Sequence, residues 1–198
     1  MKSTIKFKIV FCLFLCLGFG FSVLAQTTKK NLLKIDLISP LAKTLSIAYE
    51  TKMSDKAGLQ IGLNYTNANN GNSNYNKISG IGAMLEYRLY LSKKKVCPEG
   101  FFMGFSLRMQ QLSYERADYG YYNPQTMTYT TSYDKSSNIF VGSGISFGGQ
   151  WIFKDVINLS VFGGPTYYLG ADNAPSTLIM TNGNGYGFTV GAMVGVAF

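Results

Sequence analysis

The chain has 198 residues, 46% apolar and 15% aromatic, with 18 Lys and Arg against 10 Asp and Glu, and no His. Without His the commonest general base and metal ligand are missing, and so is any Ser-His or Cys-His nucleophile. Cys12 and Cys16 sit in the opening segment and Cys97 stands alone, so neither a disulfide framework nor a thiolate metal cluster is expected. The sequence thus predicts no catalytic residue, no metal and no cofactor.

The opening, MKSTIKFKIVFCLFLCLGFGFSVLAQ, has a basic start (Lys2, Lys6, Lys8), an apolar run from Ile9 to about Ala25, and short residues at Val23 and Ala25. This is the layout of a secretory leader cleaved after Ala25. A retained anchor is the alternative, against which Gly18 and Gly20 argue. Lipoprotein processing fits poorly, because bulky Phe11 and Leu15 precede the two cysteines. Removing residues 1–25 leaves about 15 basic residues against 10 acids, scattered except at Lys93, Lys94 and Lys95. That gives no nucleic-acid footprint.

The remainder, 26–198, is long enough for one domain. Beyond Ala25 no stretch is apolar for long enough to cross a bilayer as a helix. Apolar residues alternate instead, in about eight segments of roughly 8 to 14 residues separated by Gly, Asn, Pro, Ser and Asp clusters, the period-two signature of a membrane barrel. The first predicted strand, Asn31 to Ser39, sets Leu33, Ile35 and Leu37 against Lys34 and Asp36, and SPLAK turns it. The second, Thr44 to Thr51, sets Leu45, Ile47 and Tyr49 against Ser46, Ala48 and Glu50. After KMSDKA, the third sets Leu59, Ile61, Leu63 and Tyr65 against Gln60, Gly62 and Asn64. TNANNGNSNYNK reads as a loop on its Asn content.

The fourth, Ile78 to Leu91, alternates Ile81, Ala83, Leu85, Tyr87 and Leu89 with Gly80, Gly82, Met84, Glu86, Arg88 and Tyr90, and SKKKVCPEG ends it. The fifth starts at Phe101, with Met103, Phe105, Leu107 and Met109 opposite Gly104, Ser106, Arg108 and Gln110. A long loop is expected over about Arg116 to Ser137. The sixth, about Asn138 to Trp151, the seventh, Val156 to Tyr168, and the last, GYGFTVGAMVGVAF at 185–198, follow with IFKD and LGADNAPSTLIMTNGNG between them. GSGISFGG at 142–149 could pass for a phosphate loop, but no helix follows it, so its glycines read as lumen positions.

The choice between a soluble and a membrane barrel turns on which face is apolar. A lipocalin-like barrel points apolar residues inward and keeps charge outside. Here the non-apolar face is poor in Lys and Glu and rich in Gly, Ser, Asn and Gln, which suits a narrow lumen. Tyr49, Tyr87, Phe101, Trp151 and Phe198 fall near one set of strand ends, and Tyr65, Tyr167 and Tyr186 near the other, as two interfacial girdles would. The long connections (66–77, 116–137, 169–184) all lie at one end and the short ones (52–57, 92–100, 152–155) at the other. The short turn at Pro40 is the one exception to this outside-long, periplasm-short asymmetry.

With this pattern the chain resembles the small OmpA-, OmpX- and OmpW-like outer-membrane barrels. It is more similar still to an uncharacterised Bacteroidetes-type family whose members read like NLLKIDLISPLAKTLSIAYE followed by EYRLYLSKKK. The resemblance spans about residues 31–198 and implies an all-β fold: an eight-stranded antiparallel up-and-down transmembrane β-barrel in the cell outer membrane of a Gram-negative bacterium. It implies that Phe198, with Val196 and Val194 before it, is the strand read by the barrel assembly machinery. The chain departs from the OmpA pattern in that no peptidoglycan-binding domain is expected, and with it no wall anchoring by that route.

Lys34, Asp36, Glu50, Glu86, Arg88 and Arg108 are the charged lumen candidates, three acids against three bases, and are expected to form a salt-bridged plug. A gated ion path, or Glu50 and Glu86 acting as paired carboxylates, is the alternative. For ligand contact the candidates are Tyr119, Tyr121, Tyr122, Tyr129 and Tyr133, interleaved with Thr in a composition that suits sugars, proteins or lipopolysaccharide. Against this stands the reading that TMTYTTSY merely extends the fifth and sixth strands. Thr177 to Met180 would fold over the barrel mouth or mark a partner surface, and Lys93 to Lys95 would meet headgroups or water. The expected partners are therefore outer-membrane lipid, the assembly machinery and an extracellular or outer-membrane protein. The expected role is structural, adhesive or partner-binding and non-enzymatic, with a small-solute transport barrel and a lipid enzyme as alternatives.

Overall fold

The computed structural model describes residues 29–69, 75–93, 95–123, 128–170 and 185–198, giving the strand path alone at 69, 75–76, 116–123 and 128–134. The predicted leader, Lys94, and Thr177 to Met180 lie outside the described residues. Eight strands pair in chain order and close on themselves: β1 (Asn31–Asp36), β2 (Thr44–Lys52), β3 (Ala57–Asn69), β4 (Tyr75–Tyr90), β5 (Gly100–Asn123), β6 (Thr128–Phe153), β7 (Ile157–Leu169) and β8 (Tyr186–Ala197). Every neighbour is antiparallel. β1 meets β8 with Leu33 opposite Val196 and Ile35 opposite Val194, so the wall has no edge at that height.

The alternation decides which residues point where, because successive side chains in a strand face opposite sides. The outer face carries Leu33, Leu45, Ile61, Leu63, Ile81, Leu107, Val141, Phe147 and Phe188, all exposed. The inner face carries Lys34, Glu50, Gln60, Glu86, Arg88 and Gln150, all fully buried. This inverts the arrangement of a soluble protein. At one rim Tyr49 packs near Phe198 and Phe101 near Trp151, each pair with ring centroids 6.5 Å apart. At the other, Tyr167 and Tyr186 meet edge-on at 4.9 Å.

Two loop expectations are corrected. Strand pairing continues from Thr44↔Thr66 through Asn69↔Lys77 and on to Tyr75↔Arg116, so most of the Asn-rich stretch belongs to β3 and β4. Likewise β5 and β6 run for 24 and 26 residues as one long hairpin, with Tyr119↔Thr131 and Tyr122↔Tyr129 still paired where a loop was expected. Tyr and Thr are good strand formers. The apolar alternation that marks a strand lower down is lost in this stretch. The first outer connection stays short: a single 3-10 turn at Ser39–Ala42, closed by Lys43 with a φ of 53°.

The interior also holds apolar groups: the alternation already places Tyr90, Phe162 and Met193 there, and the others are additions to the sequence reading. Ile78, Leu112, Tyr114, Phe140 and Tyr168 form a buried cluster toward the end that carries the β5–β6 hairpin, and Tyr90, Cys97, Phe102, Phe162 and Met193 form another toward the end of the β4–β5 turn.

Candidate functional site: the buried ionic layer

Register, more than sequence distance, brings the lumen charges together. Glu50 is paired across the ladder with Gln60, and Gln60 with Glu86. Lys34 reaches in from β1, and Arg88 stands two positions from Glu86 on the same face of β4. Lys34 Nζ lies 2.5 Å from Glu50 Oε2, and Arg88 binds both carboxylates, Nη1 to Glu50 Oε2 at 3.2 Å and Nε to Glu86 Oε1 at 2.5 Å. Two cations thus balance two anions in a layer closed to solvent. An uncompensated charge there would cost several kcal/mol, so mutual pairing is a condition of folding.

Neutral residues complete the layer. The Tyr90 hydroxyl donates to Glu50 Oε1 at 2.5 Å, and Ser146 Oγ donates to Glu86 Oε2 at 3.3 Å. Gln150 is the cross-brace. Its Oε1 accepts from Lys34 Nζ and Arg88 Nη1, both at 3.2 Å. Its Nε2 shares two protons among Pro98 O at 2.6 Å, Tyr90 Oη at 2.9 Å and Glu50 Oε2 at 3.3 Å. The Arg88 guanidinium lies over the Phe102 ring, 4.2 Å from its centroid, with Phe162 at 5.7 Å. Each cation–π contact adds attraction while excluding water.

The contact to Pro98 ties the ionic layer to the β4–β5 turn, which closes that mouth of the barrel. The Cys97 N–H donates to Asp55 O at 2.9 Å, and Lys56 Nζ binds the Ser92 and Lys95 carbonyls of the same turn. Cys97 is a buried free thiol. In this turn, outside the membrane-spanning strands, burial first and the nearby Glu50 charge second push its thiol pKa up to about 12. A thiol so raised stays protonated and is a poor nucleophile.

Of the six charged candidates, Lys34, Glu50, Glu86 and Arg88 come together and two do not. Asp36 Oδ1 accepts from the N–H groups of Ile38 and Ser39 at 2.8 and 3.3 Å, serving the outer turn. Arg108 stands opposite Met84 and Gly142, and among the described residues it makes no ion pair. Gln60, Tyr90, Phe102, Gln150 and Phe162 are the members the sequence reading missed as a site. Alternation put Gln60, Tyr90, Gln150 and Phe162 on the inner face, but only the stagger between strands sets them at one height. The side chains of Tyr119, Tyr121, Tyr122, Tyr129 and Tyr133 lie outside the described residues. Val194 and Val196 sit half-buried on β8, and Phe198 is exposed beside Tyr49. Lys95 is paired with Glu99 at 2.7 Å.

Among the described residues several buried polar atoms find no hydrogen-bond partner: both amide atoms of Gln60, Asn158 Oδ1, Ser160 Oγ and Arg88 Nη2 in this layer, and Asn64 Oδ1 and Arg108 Nε above it. Both carboxylates are engaged by cations, which leaves neither as a free general base. Among the described residues no group of three or more Cys, Asp or Glu comes together as a metal site.

An apolar outer face around a paired, water-excluding ionic interior defines a closed eight-stranded β-barrel of the outer-membrane type. Within that class the chain belongs to the family described as a protein of unknown function (DUF3575), which matches residues 9–174. Among solved structures, it is similar to the N-terminal β-barrel domain of Pseudomonas aeruginosa OprF. The identity is 10% and the TM-score 0.42, over 87% of this chain and 100% of that one. The fold itself rests on the strand register given above. Comparison with curated proteins finds no match.

Proposed function

We propose that this chain is an integral outer-membrane protein, non-enzymatic and non-conducting, which works as a rigid platform for its long outer hairpin. The observation that carries the reading is the fully buried Lys34–Glu50–Arg88–Glu86 network, stacked on Phe102 and braced by Gln150. A solute path would have to part four charges in a space just wide enough for side chains. What projects above the lipid is then the part able to meet a partner, and β5 and β6 supply most of it.

Planar-bilayer recording on the purified full-length protein tests this. No single-channel steps are expected from the wild type. Robust conductance that is lost when Glu86 and Arg88 are exchanged would overturn the sealed-lumen reading and favour a transport barrel.

A further inference from the structure

Sorted by place in the barrel, the charged side chains separate its two ends. Inside, Lys34, Arg88 and Arg108 stand against Asp36, Glu50 and Glu86. At the end of the β5–β6 hairpin, Lys43, Lys77, Arg116 and Lys135 are offset by Glu115, Asp118 and Asp134. The opposite end is unbalanced. Lys29 and Lys30 precede β1, Lys52 and Lys56 flank the β2–β3 turn, Lys93 and Lys95 lie in the β4–β5 turn, and Lys154 lies in the β6–β7 turn. Among the described residues Asp55, Glu99 and Asp155 are the acids opposing them, and two of these are already held: Asp55 by Lys52 and Glu99 by Lys95, each at 2.7 Å. The excess of positive side-chain charge therefore collects at one end.

The three turns and the stretch before β1 each carry a lysine, so the cations are spread round the wall as a ring. A protein or nucleic-acid partner docks against one side; what meets a ring is whatever surrounds the barrel. The ring stands just beyond an aromatic rim, with Lys52 three residues after Tyr49 and Lys154 three after Trp151. The same turns expose apolar side chains, Met53 at 63%, Val96 at 50% and Phe153 at 50%, each next in sequence to a lysine. Water favours the lysines alone. A lipid leaflet favours both, taking in the apolar group and leaving the ammonium at headgroup height.

We propose that this ring binds the phosphate groups of net-negative phospholipids in the leaflet at the β4–β5 turn end, and so gathers those lipids around the barrel. This rests on the reading that the chain is an integral outer-membrane protein. The ammonium of lysine is a compact, mobile charge suited to phosphate. A basic cluster flanking a membrane span draws anionic lipid over about a Debye length. Lys30, Lys56, Lys93, Lys95 and Lys154 are all exposed at that height.

Trp151, the one tryptophan of the chain, stands at this rim and reports on the lipid beside it. The test is quenching of its fluorescence in the full-length protein, folded into mixed vesicles in which either phosphatidylglycerol or phosphatidylcholine is brominated near the head of its chains. Phosphatidylglycerol should win the place beside Trp151 with a relative binding constant of at least about 2 at low salt, falling to about 1 in roughly 1 M salt. Lys93→Gln/Lys154→Asn should bring the constant down at low salt while the barrel keeps its heat-dependent electrophoretic shift; Asn suits position 154, where φ is 48°. Trp151→Phe/Tyr186→Trp moves the reporter to the other rim, where the charges are nearly balanced, and should read about 1 throughout. Equal quenching by the two lipids at Trp151, a preference that survives high salt, or the same preference at the other rim would each overturn the proposal and leave the barrel in its membrane. No quenching by either lipid at either rim would instead defeat the membrane reading, and the proposal with it.

Discussion

At the level of single residues the molecule turns on Glu50. It takes Lys34, Arg88, Tyr90 and Gln150 at once, so four strands depend on one carboxylate. Replacing Glu50 with Gln keeps the volume but leaves Lys34 and Arg88 to share Glu86, one positive charge in excess inside a closed layer. Breaking a buried pair from one side costs about 3–5 kcal/mol, because the surviving charge is uncompensated. Urea unfolding of Glu50→Gln in lipid vesicles should show a loss of that order. The double variant Lys34→Met/Glu50→Gln, which removes both partners, should recover much of it. A loss below about 1 kcal/mol for the single variant would mean that the layer is wetted, in the manner of a surface pair.

Among the elements, the β4–β5 turn does as much to define the barrel as any strand, since it closes the mouth and delivers the Pro98 carbonyl to Gln150. Cys97 reports on that closure. Its thiol pKa is raised from an ordinary 9.0 to about 12, so the folded state holds the proton more tightly than the unfolded chain does. The corresponding stability is fully present below pH 9 and is lost as pH climbs from 9 through 12. The urea midpoint of wild type should therefore exceed that of Cys97→Ala at pH 8, and the gap should shrink as pH rises through that window. A gap that stays constant would place the thiol in solvent.

The same elements show what the sequence could and could not disclose. The inner and outer faces of every lipid-embedded strand were legible, because hydrocarbon on one side and a packed lumen on the other force a period of two. Height along the barrel was not, since it depends on the stagger at each seam. Asp36 and Arg108 therefore looked equivalent to Lys34 and Arg88 and are not. The upper parts of β5 and β6 were legible only as an alternative, TMTYTTSY extending the fifth and sixth strands, because the composition there no longer alternates and Tyr- and Thr-rich strand also reads as loop.

For the whole molecule, the outer surface makes the strongest physical demand. Leu63, Ile81, Leu107, Phe147 and Phe188 are each more than half exposed, on strands whose inner faces bury charge. Such a belt is stable only if something apolar covers it, and its aromatic rims at Phe101–Trp151 and Tyr167–Tyr186 bound it above and below. Leu107 lies well up β5 from the rim residue Phe101. An arginine on the lipid face costs about 2–4 kcal/mol near the midplane and about 0–1 near an interface. Leu107→Arg should thus lower the unfolding free energy in vesicles by the larger amount, and Phe101→Arg by the smaller. Were this face wetted, as on a soluble barrel, both substitutions would be nearly neutral. Equal, near-zero losses would remove the membrane from the account of this fold, because depth dependence has no source in water.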